Sequence, residues 1–158
     1  MSVLKEGTAA PDFALPTDDG GTFQLSSQKG SAVVVYFYPK DDTSGCTQEA
    51  IDFSALAPEF SAAGATIIGI SPDSVRRHRN FRNKHDLTVV LASDEEKETL
   101  SRYGVWVEKS MYGRRYMGVE RTTVLVDRNG NIARIWNKVK IPGHAEAVLE
   151  AVKELPKT

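Results

Sequence analysis

The strongest constraint on the fold is the unbroken apolar run Ala32–Tyr38, which is rich in β-branched and aromatic side chains and ends at Pro39. A run without polar alternation is typical of a strand that is buried on both faces of a sheet. Both rows of its side chains must leave water, so such a strand needs packed layers on both sides. The sequence therefore predicts a sheet that is covered on two faces.

Other segments extend this pattern into an alternation of strands and helices. Strand-like segments at 65–70 and 87–92 alternate with helical patterns, of which the first begins near 43–46 and ends before Gly64. The next two helices are expected from 71–73 to about residue 84 and from the acidic stretch 93–96. Strands joined by helices in this way are typical of parallel crossover units.

The two ends of the chain predict hairpins. The turn Arg128-Asn129-Gly130 separates two strand-like segments and precedes a helix with an apolar stripe, while Asp18-Asp19-Gly20-Gly21 predicts a hairpin within 11–27. We therefore expect one α/β domain over 1–158. Its expected architecture is a thioredoxin-like fold, with a mixed central sheet flanked by helices and an N-terminal β-hairpin addition.

Composition excludes several function classes. The 158 residues carry 20 basic and 21 acidic side chains, and this balance argues against a nucleic-acid-binding surface. No apolar run approaches the roughly 20 residues of a membrane-spanning helix, and no signal peptide is evident, so the expected compartment is the cytoplasm. Phosphate-binding glycine motifs are absent and the histidines lack metal-ligand spacing, so neither a cofactor nor a metal is predicted.

The one cysteine, Cys46, is the candidate reactive group. Without a second cysteine the chain has no CxxC pair and no intrachain disulfide. Cys46 lies between a buried strand and the predicted start of a helix, where open backbone N–H groups and the helix dipole stabilise an anion. This position favours the nucleophilic thiolate, although a lone cysteine is also common as a small buried apolar residue.

The residues around Cys46 resemble those of a known family. Pro39, Thr43 and Cys46 reproduce the P-x-x-x-T-x-x-C motif of peroxiredoxins, and YPKDDTSGCTQEA is similar to the bacterioferritin-comigratory-protein (BCP or PrxQ) branch. The likeness continues in GTAAPDFALPTDDGG, in ISPDSVRRHRNFRNKH and in GVERTTVLVDRNGNI, where Arg121 matches the family's active-site arginine. The resemblance therefore covers nearly the whole chain.

The resemblance implies a thiol-dependent peroxidase that acts in antioxidant defence. Cys46 would attack a hydroperoxide and become a sulfenic acid, while Arg121 would stabilise both the thiolate and the departing oxygen. Thr43 would bond the thiolate or orient the peroxide, Pro39 would shield the sulfur from water, and backbone N–H groups near Gly45 would complete the substrate site. Taken singly, Thr43 is also readable as a helix cap, Pro39 as a strand terminator and Arg121 as a solvated charge.

The chain departs from this family at the resolving cysteine. The two positions that hold it in relatives are Ile51 and one near Arg82 here, and Ser44 replaces a common proline. The resemblance thus implies a one-cysteine enzyme that is regenerated by thioredoxin, glutaredoxin or a small thiol, or through a disulfide between two chains. A monomer or weak homodimer is expected. The alternative function is a peroxide sensor that passes oxidation of Cys46 to a partner protein.

Three further groups of residues receive structural interpretations. Asp41 and Asp42 are expected to cap or solvate a turn. The basic cluster between Arg76 and His85, which includes His78, is expected to be a solvated helix face. Aromatic and methionine side chains before Arg121 predict either a substrate or partner surface, or packing in the core or in a hairpin; they are Trp106, Tyr112, Tyr116 and Met117.

Overall fold

The computed structural model describes residues 4–156, which form nine strands, four α-helices and one 3-10 turn, Leu25–Gln28. The strands are β1 (Ala14–Pro16), β2 (Thr22–Gln24), β3 (Ala32–Phe37), β4 (Ala65–Ser71), β5 (Val90–Ser93), β6 (Trp106–Met111), β7 (Arg114–Val119), β8 (Thr122–Val126) and β9 (Ile132–Trp136). The helices are α1 (Ser44–Ala62), α2 (Val75–His85), α3 (Glu98–Arg102) and α4 (His144–Lys153). None of these described helices is long and apolar enough to cross a membrane.

The central sheet has the strand order β5-β4-β3-β8-β9. Strands β3, β4 and β5 run parallel, whereas β8 pairs antiparallel with β3 and β9 pairs antiparallel with β8. The N-terminal hairpin β1–β2 forms a separate two-stranded sheet. These observations confirm the predicted mixed sheet and the hairpin addition.

The residues of β3 are buried throughout, and alternate side chains enter two different cores. Val34 and Tyr36 lie in a core that also contains side chains of α1, α2 and α4. Val33 and Val35 lie in a second core, which is covered by the β1–β2 hairpin and by Leu100 of α3. The sheet therefore has packed layers on both faces, as the apolar run requires.

One element differs from the sequence prediction. The acidic stretch 93–96 is not the first turn of a helix, because Lys97 adopts a left-handed conformation and α3 begins only at Glu98. The carboxylate of Asp94 instead accepts a hydrogen bond from the backbone N–H of Leu100 at 2.8 Å, so it satisfies a donor in the short helix.

Trp106, Tyr116 and Met117 belong to the hairpin β6–β7, and Tyr112 at its tip is 99% exposed.

Sheet topology places Arg121 near the loop that precedes Cys46. The antiparallel register of β3 and β8 pairs Phe37 with Thr122. Arg121 therefore directly precedes β8 at the same end of the sheet where β3 leads into the loop before α1. Cys46 and Arg121 are far apart in the sequence, but the elements that carry them follow or precede two strands that pair directly, β3 and β8.

Candidate active site

Cys46 lies in the first turn of α1, and the residue is only 1% exposed. The first hydrogen bond of the helix runs from the N–H of Thr47 to the carbonyl of Thr43 at 2.8 Å. The N–H groups of Ser44, Gly45 and Cys46 therefore have no acceptor within the helix. Together with the helix dipole, these open donors stabilise negative charge on the sulfur or on a bound oxygen.

Arg121 contacts the sulfur directly. Its Nη2 donates to Cys46 Sγ at 3.3 Å, and its Nη1 donates to Glu49 Oε1 at 2.6 Å. Burial alone would lower the pKa of Arg121, but the charges of Glu49 and Cys46 outweigh burial and raise it. With its side chain 17% exposed and held at both ends, Arg121 is a fixed cation and not a solvated surface charge.

Glu49 is a site residue that the sequence analysis did not single out. It follows Cys46 by nearly one helical turn, its side chain is 2% exposed, and its Oε2 has no hydrogen-bond partner among the described residues. Burial raises the pKa of Glu49 to about 7, although the neighbouring Arg121 opposes the shift. The available signal was a carboxylate one turn before Phe53, on the buried face of an otherwise apolar stripe.

Thr43 and Gly45 have defined places at the start of α1. Thr43 is the exposed N-cap residue, but its Oγ1 donates to the carbonyl of Lys40 at 2.9 Å and not to the sulfur or to the helix N–H groups. A Cβ at Gly45 would lie 3.5 Å from Arg121 Nη2 and 3.3 Å from Ile141 Cδ1. Glycine therefore leaves space beside the guanidinium. Pro39 is half-buried two residues after β3.

The solvated interpretations of Asp41 and His78 are wrong. Both are buried: Asp41 Oδ2 lies 2.7 Å from His78 Nδ1, and Asp41 Oδ1 accepts from Tyr38 Oη at 2.6 Å. With Asp73 they form a cluster in which one potential metal-ligating atom of each residue lies within 4.8 Å of those of the other two. Both ring nitrogens of His78 are already hydrogen-bonded to protein atoms, so we treat the cluster as a hydrogen-bond network.

The two positions that hold a resolving cysteine in relatives have different roles here. Ile51 is partly exposed on α1, at 38%. Arg82 on α2 pairs with the carboxylate of Asp18 and donates to the carbonyl oxygens of Leu87 and Val89. Arg82 therefore ties the helix to two neighbouring loops, and Cys46 is the only thiol of the chain.

Comparison with known proteins identifies the family. A model of the AhpC/TSA family matches residues 7–135. The chain is 44% identical to the peroxiredoxin Bcp of Xanthomonas campestris over 96% of this chain and 95% of that protein, and 43% identical to the peroxiredoxin Bcp of Bacillus subtilis over 96% and 97%.

A solved structure of the bacterioferritin comigratory protein of X. campestris, described for its alkyl peroxide reduction activity, superposes with a TM-score of 0.88 at 42% identity. The superposition covers 94% of this chain and 98% of the X. campestris chain. A single cysteine, at the position of the peroxiredoxin motif, distinguishes this chain from relatives that carry a second one. The chain belongs to the AhpC/TSA family and is a one-cysteine peroxiredoxin of its BCP/PrxQ branch.

Proposed function

We propose that the protein reduces hydrogen peroxide and organic hydroperoxides through a sulfenic acid at Cys46. The observation that carries this proposal is the contact of Arg121 Nη2 with Cys46 Sγ at the open N-terminus of α1. A thiolate in this place lies in the first turn of a helix and accepts from a guanidinium, and this environment suits an anion and an anionic transition state.

In the first step the Cys46 thiolate attacks one oxygen of the peroxide. An S–O bond forms as the O–O bond breaks, so the sulfur is oxidised to the sulfenic acid and the peroxide is reduced. The departing oxygen takes up a proton and leaves as water or as an alcohol. Arg121 stabilises the negative charge that moves from the sulfur to this oxygen, and it needs no reorientation because Glu49 holds its other nitrogen.

The remaining motif residues shape the substrate site in this proposal. Gly45 leaves space beside the guanidinium for a peroxide oxygen, and the N–H groups of Gly45 and Cys46 donate to that oxygen. The hydroxyl of Thr43 turns from the carbonyl of Lys40 towards the peroxide when substrate is present. Pro39 has no N–H to attract water and keeps the sulfur shielded.

Regeneration requires a thiol from outside the chain. An external thiol attacks the sulfenic sulfur, water leaves, and a mixed disulfide forms; a second thiol then releases the Cys46 thiol. Thioredoxin, glutaredoxin and small thiols all fit this chemistry, as does Cys46 of a second copy. Because no cysteine of the same chain traps the sulfenic acid, excess peroxide converts it to sulfinic acid when reductant is withheld.

The setting of the reaction is also part of the proposal. A reducing compartment such as the cytoplasm supplies the thiols that regeneration needs. We propose that one peroxiredoxin domain spans 1–158 and acts as a monomer or weak homodimer. The sensor alternative is not favoured, because the named relatives are peroxiredoxins.

The test measures peroxide consumption with a saturating thiol reductant for three variants. Cys46→Ser should abolish the activity, and Arg121→Ala should lower kcat/KM for peroxide by about 100-fold or more because a transition-state donor is lost. Arg115→Ala is the matched control, since Arg115 is an exposed arginine on the β6–β7 hairpin. Full activity in Cys46→Ser would refute the proposal, as would equal losses in the two arginine variants.

A further inference from the structure

The hairpin β6–β7 carries most of the exposed apolar side chains of the protein. The described residues include five large apolar side chains that are exposed, and four of these lie on the hairpin: Met111 at 55%, Tyr112 at 99%, Tyr116 at 44% and Met117 at 48%. Within residues 4–156 its two strands pair with each other and with no other strand. Its base is anchored, because Val119 is buried in the second core and Trp106 packs against that core. The outer half of the hairpin therefore presents a concentration of uncovered apolar side chains, which is typical of a binding surface.

The turn of the hairpin holds a tyrosine in an unfavourable conformation. Tyr112 and Gly113 link β6 to β7, and both have a positive φ, of 52° and 77°. Two positive φ values are typical of a type I′ turn, for which asparagine followed by glycine is the preferred sequence. A tyrosine is uncommon in this conformation, and its ring is 99% exposed, so packing within the described chain does not compensate. Local structure therefore does not account for the tyrosine, whereas contact with a partner does.

One face of the hairpin combines apolar side chains with unpaired cations. The register places Tyr116 opposite Lys109 and Met111 opposite Arg114, and directly opposed residues share a face of an antiparallel pair. This face, which we call the Tyr116 face, carries no acidic side chain; it consists of Val107, Lys109, Met111, Arg114, Tyr116 and Gly118. Neither Lys109 nor Arg114 forms an ion pair with another described residue. The Tyr116 face therefore has an uncompensated positive charge.

The opposite face of the hairpin has a different charge balance. Arg115 lies there 3.6 Å from Glu108, so this pair contributes no net charge. Met117 lies on the same face, opposite Glu108 in the register. The hairpin as a whole is thus positive, and its positive charge is concentrated on the Tyr116 face.

The distribution of these side chains favours a lipid surface over a protein partner. Apolar side chains lie on both faces and at the turn, so a rigid protein surface that covers one face leaves the others in water. A fluid interface surrounds the tip from all sides. Tyrosine rings partition into the membrane–water interface, and anionic headgroups attract nearby lysine and arginine side chains, which is worth about fivefold in affinity for each cation.

We propose that the β6–β7 hairpin docks on an anionic lipid surface. Met111, Tyr112 and Tyr116 enter the headgroup layer, while Lys109 and Arg114 contact lipid phosphates. Docking of this kind needs no membrane-spanning helix, because the apolar side chains enter only the interface.

Docking also places the active site close to the lipid. β7 leads towards Arg121, and the chain from Arg114 to Arg121 spans at most about 24 Å, at about 3.4 Å for each residue of a strand. The inference goes beyond the proposed function, because it concerns where the protein acts and holds whether or not Cys46 turns over.

The first measurement is co-sedimentation of the reduced protein with vesicles. The wild type should sediment with vesicles of equal parts phosphatidylglycerol and phosphatidylcholine, and the binding should weaken as sodium chloride rises from about 50 mM to about 500 mM. Binding to vesicles of phosphatidylcholine alone should be weaker by about tenfold or more, because the two unpaired cations then have no anionic surface to contact. A wild type that stays in solution with the anionic vesicles at about 50 mM salt would overturn the proposal.

Tyr112→Asn separates the turn from the ring. The variant has the preferred asparagine–glycine pair of a type I′ turn, so the hairpin should fold at least as well as in the wild type. It lacks the exposed ring, so its affinity for the anionic vesicles should fall by about fivefold or more. A Tm no lower than that of the wild type verifies the fold, and an unchanged vesicle affinity would contradict the proposal.

Arg114→Gln and Arg76→Gln test the position of the charge. Both remove one exposed arginine, but Arg76 lies on α2, which packs on the other face of the central sheet from the base of the hairpin. Vesicle affinity should fall by about fivefold in Arg114→Gln and should stay within about twofold of the wild type in Arg76→Gln. Equal losses in the two variants would show that binding follows net charge alone, which would overturn the proposal.

Two results would assign the hairpin to another partner and overturn lipid docking. If the wild type does not bind the vesicles but forms a dimer that Tyr112→Asn dissociates, the hairpin binds a second copy of the chain. If it does not bind them and thioredoxin reduces the Cys46 sulfenic acid of Tyr112→Asn more slowly than that of the wild type, the hairpin binds this protein reductant. Vesicle binding is measured without peroxide, so its failure and failure of the proposed function are distinguishable.

Discussion

Replacement of Glu49 by glutamine separates the stability of the active site from its chemistry. Glutamine keeps the shape of the side chain and still accepts a hydrogen bond from Arg121 Nη1, but it carries no charge. In the wild type the buried carboxylate has a pKa of about 7, because burial raises it from the ordinary value of 4.5. The folded protein holds this proton more tightly than the unfolded chain does. The contribution of Glu49 to the free energy of unfolding is therefore fully present below pH 4.5 and is lost as the pH rises to about 7.

The size of the effect follows from the shift. A difference of about 2.5 pH units at about 1.4 kcal/mol per unit amounts to about 3 kcal/mol at pH 8, and at pH 5 the same linkage gives about 1 kcal/mol. Glu49→Gln does not carry this cost. The variant should therefore gain about 2 kcal/mol more stability relative to the wild type at pH 8 than at pH 5.

Activity should change in the opposite direction. A neutral acceptor holds Arg121 less firmly than a carboxylate does, so we expect kcat/KM for peroxide to fall by about tenfold at pH 8. The gap between variant and wild type should close as the pH falls below 7, where Glu49 itself becomes neutral. Stability and activity thus make conflicting demands on this one carboxylate.

Urea unfolding at pH 5 and pH 8, with peroxide kinetics on the same samples, measures both effects. Glu59→Gln is the matched control, because Glu59 lies exposed on the same helix and should change neither quantity. The reasoning fails if the stability difference between Glu49→Gln and the wild type is the same at both pH values, or if it is smaller at pH 8.

Three further substitutions test other contacts. Arg121→Lys should lower kcat/KM for peroxide by about 100-fold, because one ammonium group cannot hold Glu49 and contact the sulfur at once as the planar guanidinium does. A loss below about threefold would contradict this. Gly69→Ala should lower the free energy of unfolding in urea by about 1–3 kcal/mol, because its Cβ would lie 2.5 Å from Tyr36 Cζ, and an unchanged value would show that the ring has room. Burial, with the charge of Arg121, lowers the pKa of His144 to about 4, so stability should be lost as the pH falls from 6.5 towards 4. His144→Gln should reduce this loss in Tm between pH 7 and pH 5, and an equal loss in both proteins would count against it.

Local patterns were sufficient for the elements that carry the site. The apolar run that became β3 and the helical spacing of α1 are properties of short segments, and both elements lie where the sequence placed them. The prediction of a helix from the acidic stretch 93–96 was wrong. In sequence, acidic residues in the first turn of a helix cannot be distinguished from a carboxylate that precedes the helix and accepts from one of its N–H groups, as Asp94 does here. Backbone conformation at Lys97 decides between them, and the sequence does not display it.

The polar network around the site was beyond local patterns. Asp41 and His78 are 37 residues apart, and Glu49 and Arg121 are 72 apart, so neither pair is visible without the sheet topology. Charged residues are usually exposed, and a prediction from residue type places them in water. The partner that makes burial of each charge tolerable comes from a distant element.

The central claim is that Cys46 is an activated thiol that forms a sulfenic acid without a partner from its own chain. The most direct test is the intact mass of the reduced protein after brief exposure to about one equivalent of hydrogen peroxide, with and without a sulfenic-acid trap. We predict one added oxygen atom without the trap and one trap adduct at Cys46 with it. A thiol that stays unmodified under these conditions would contradict the claim.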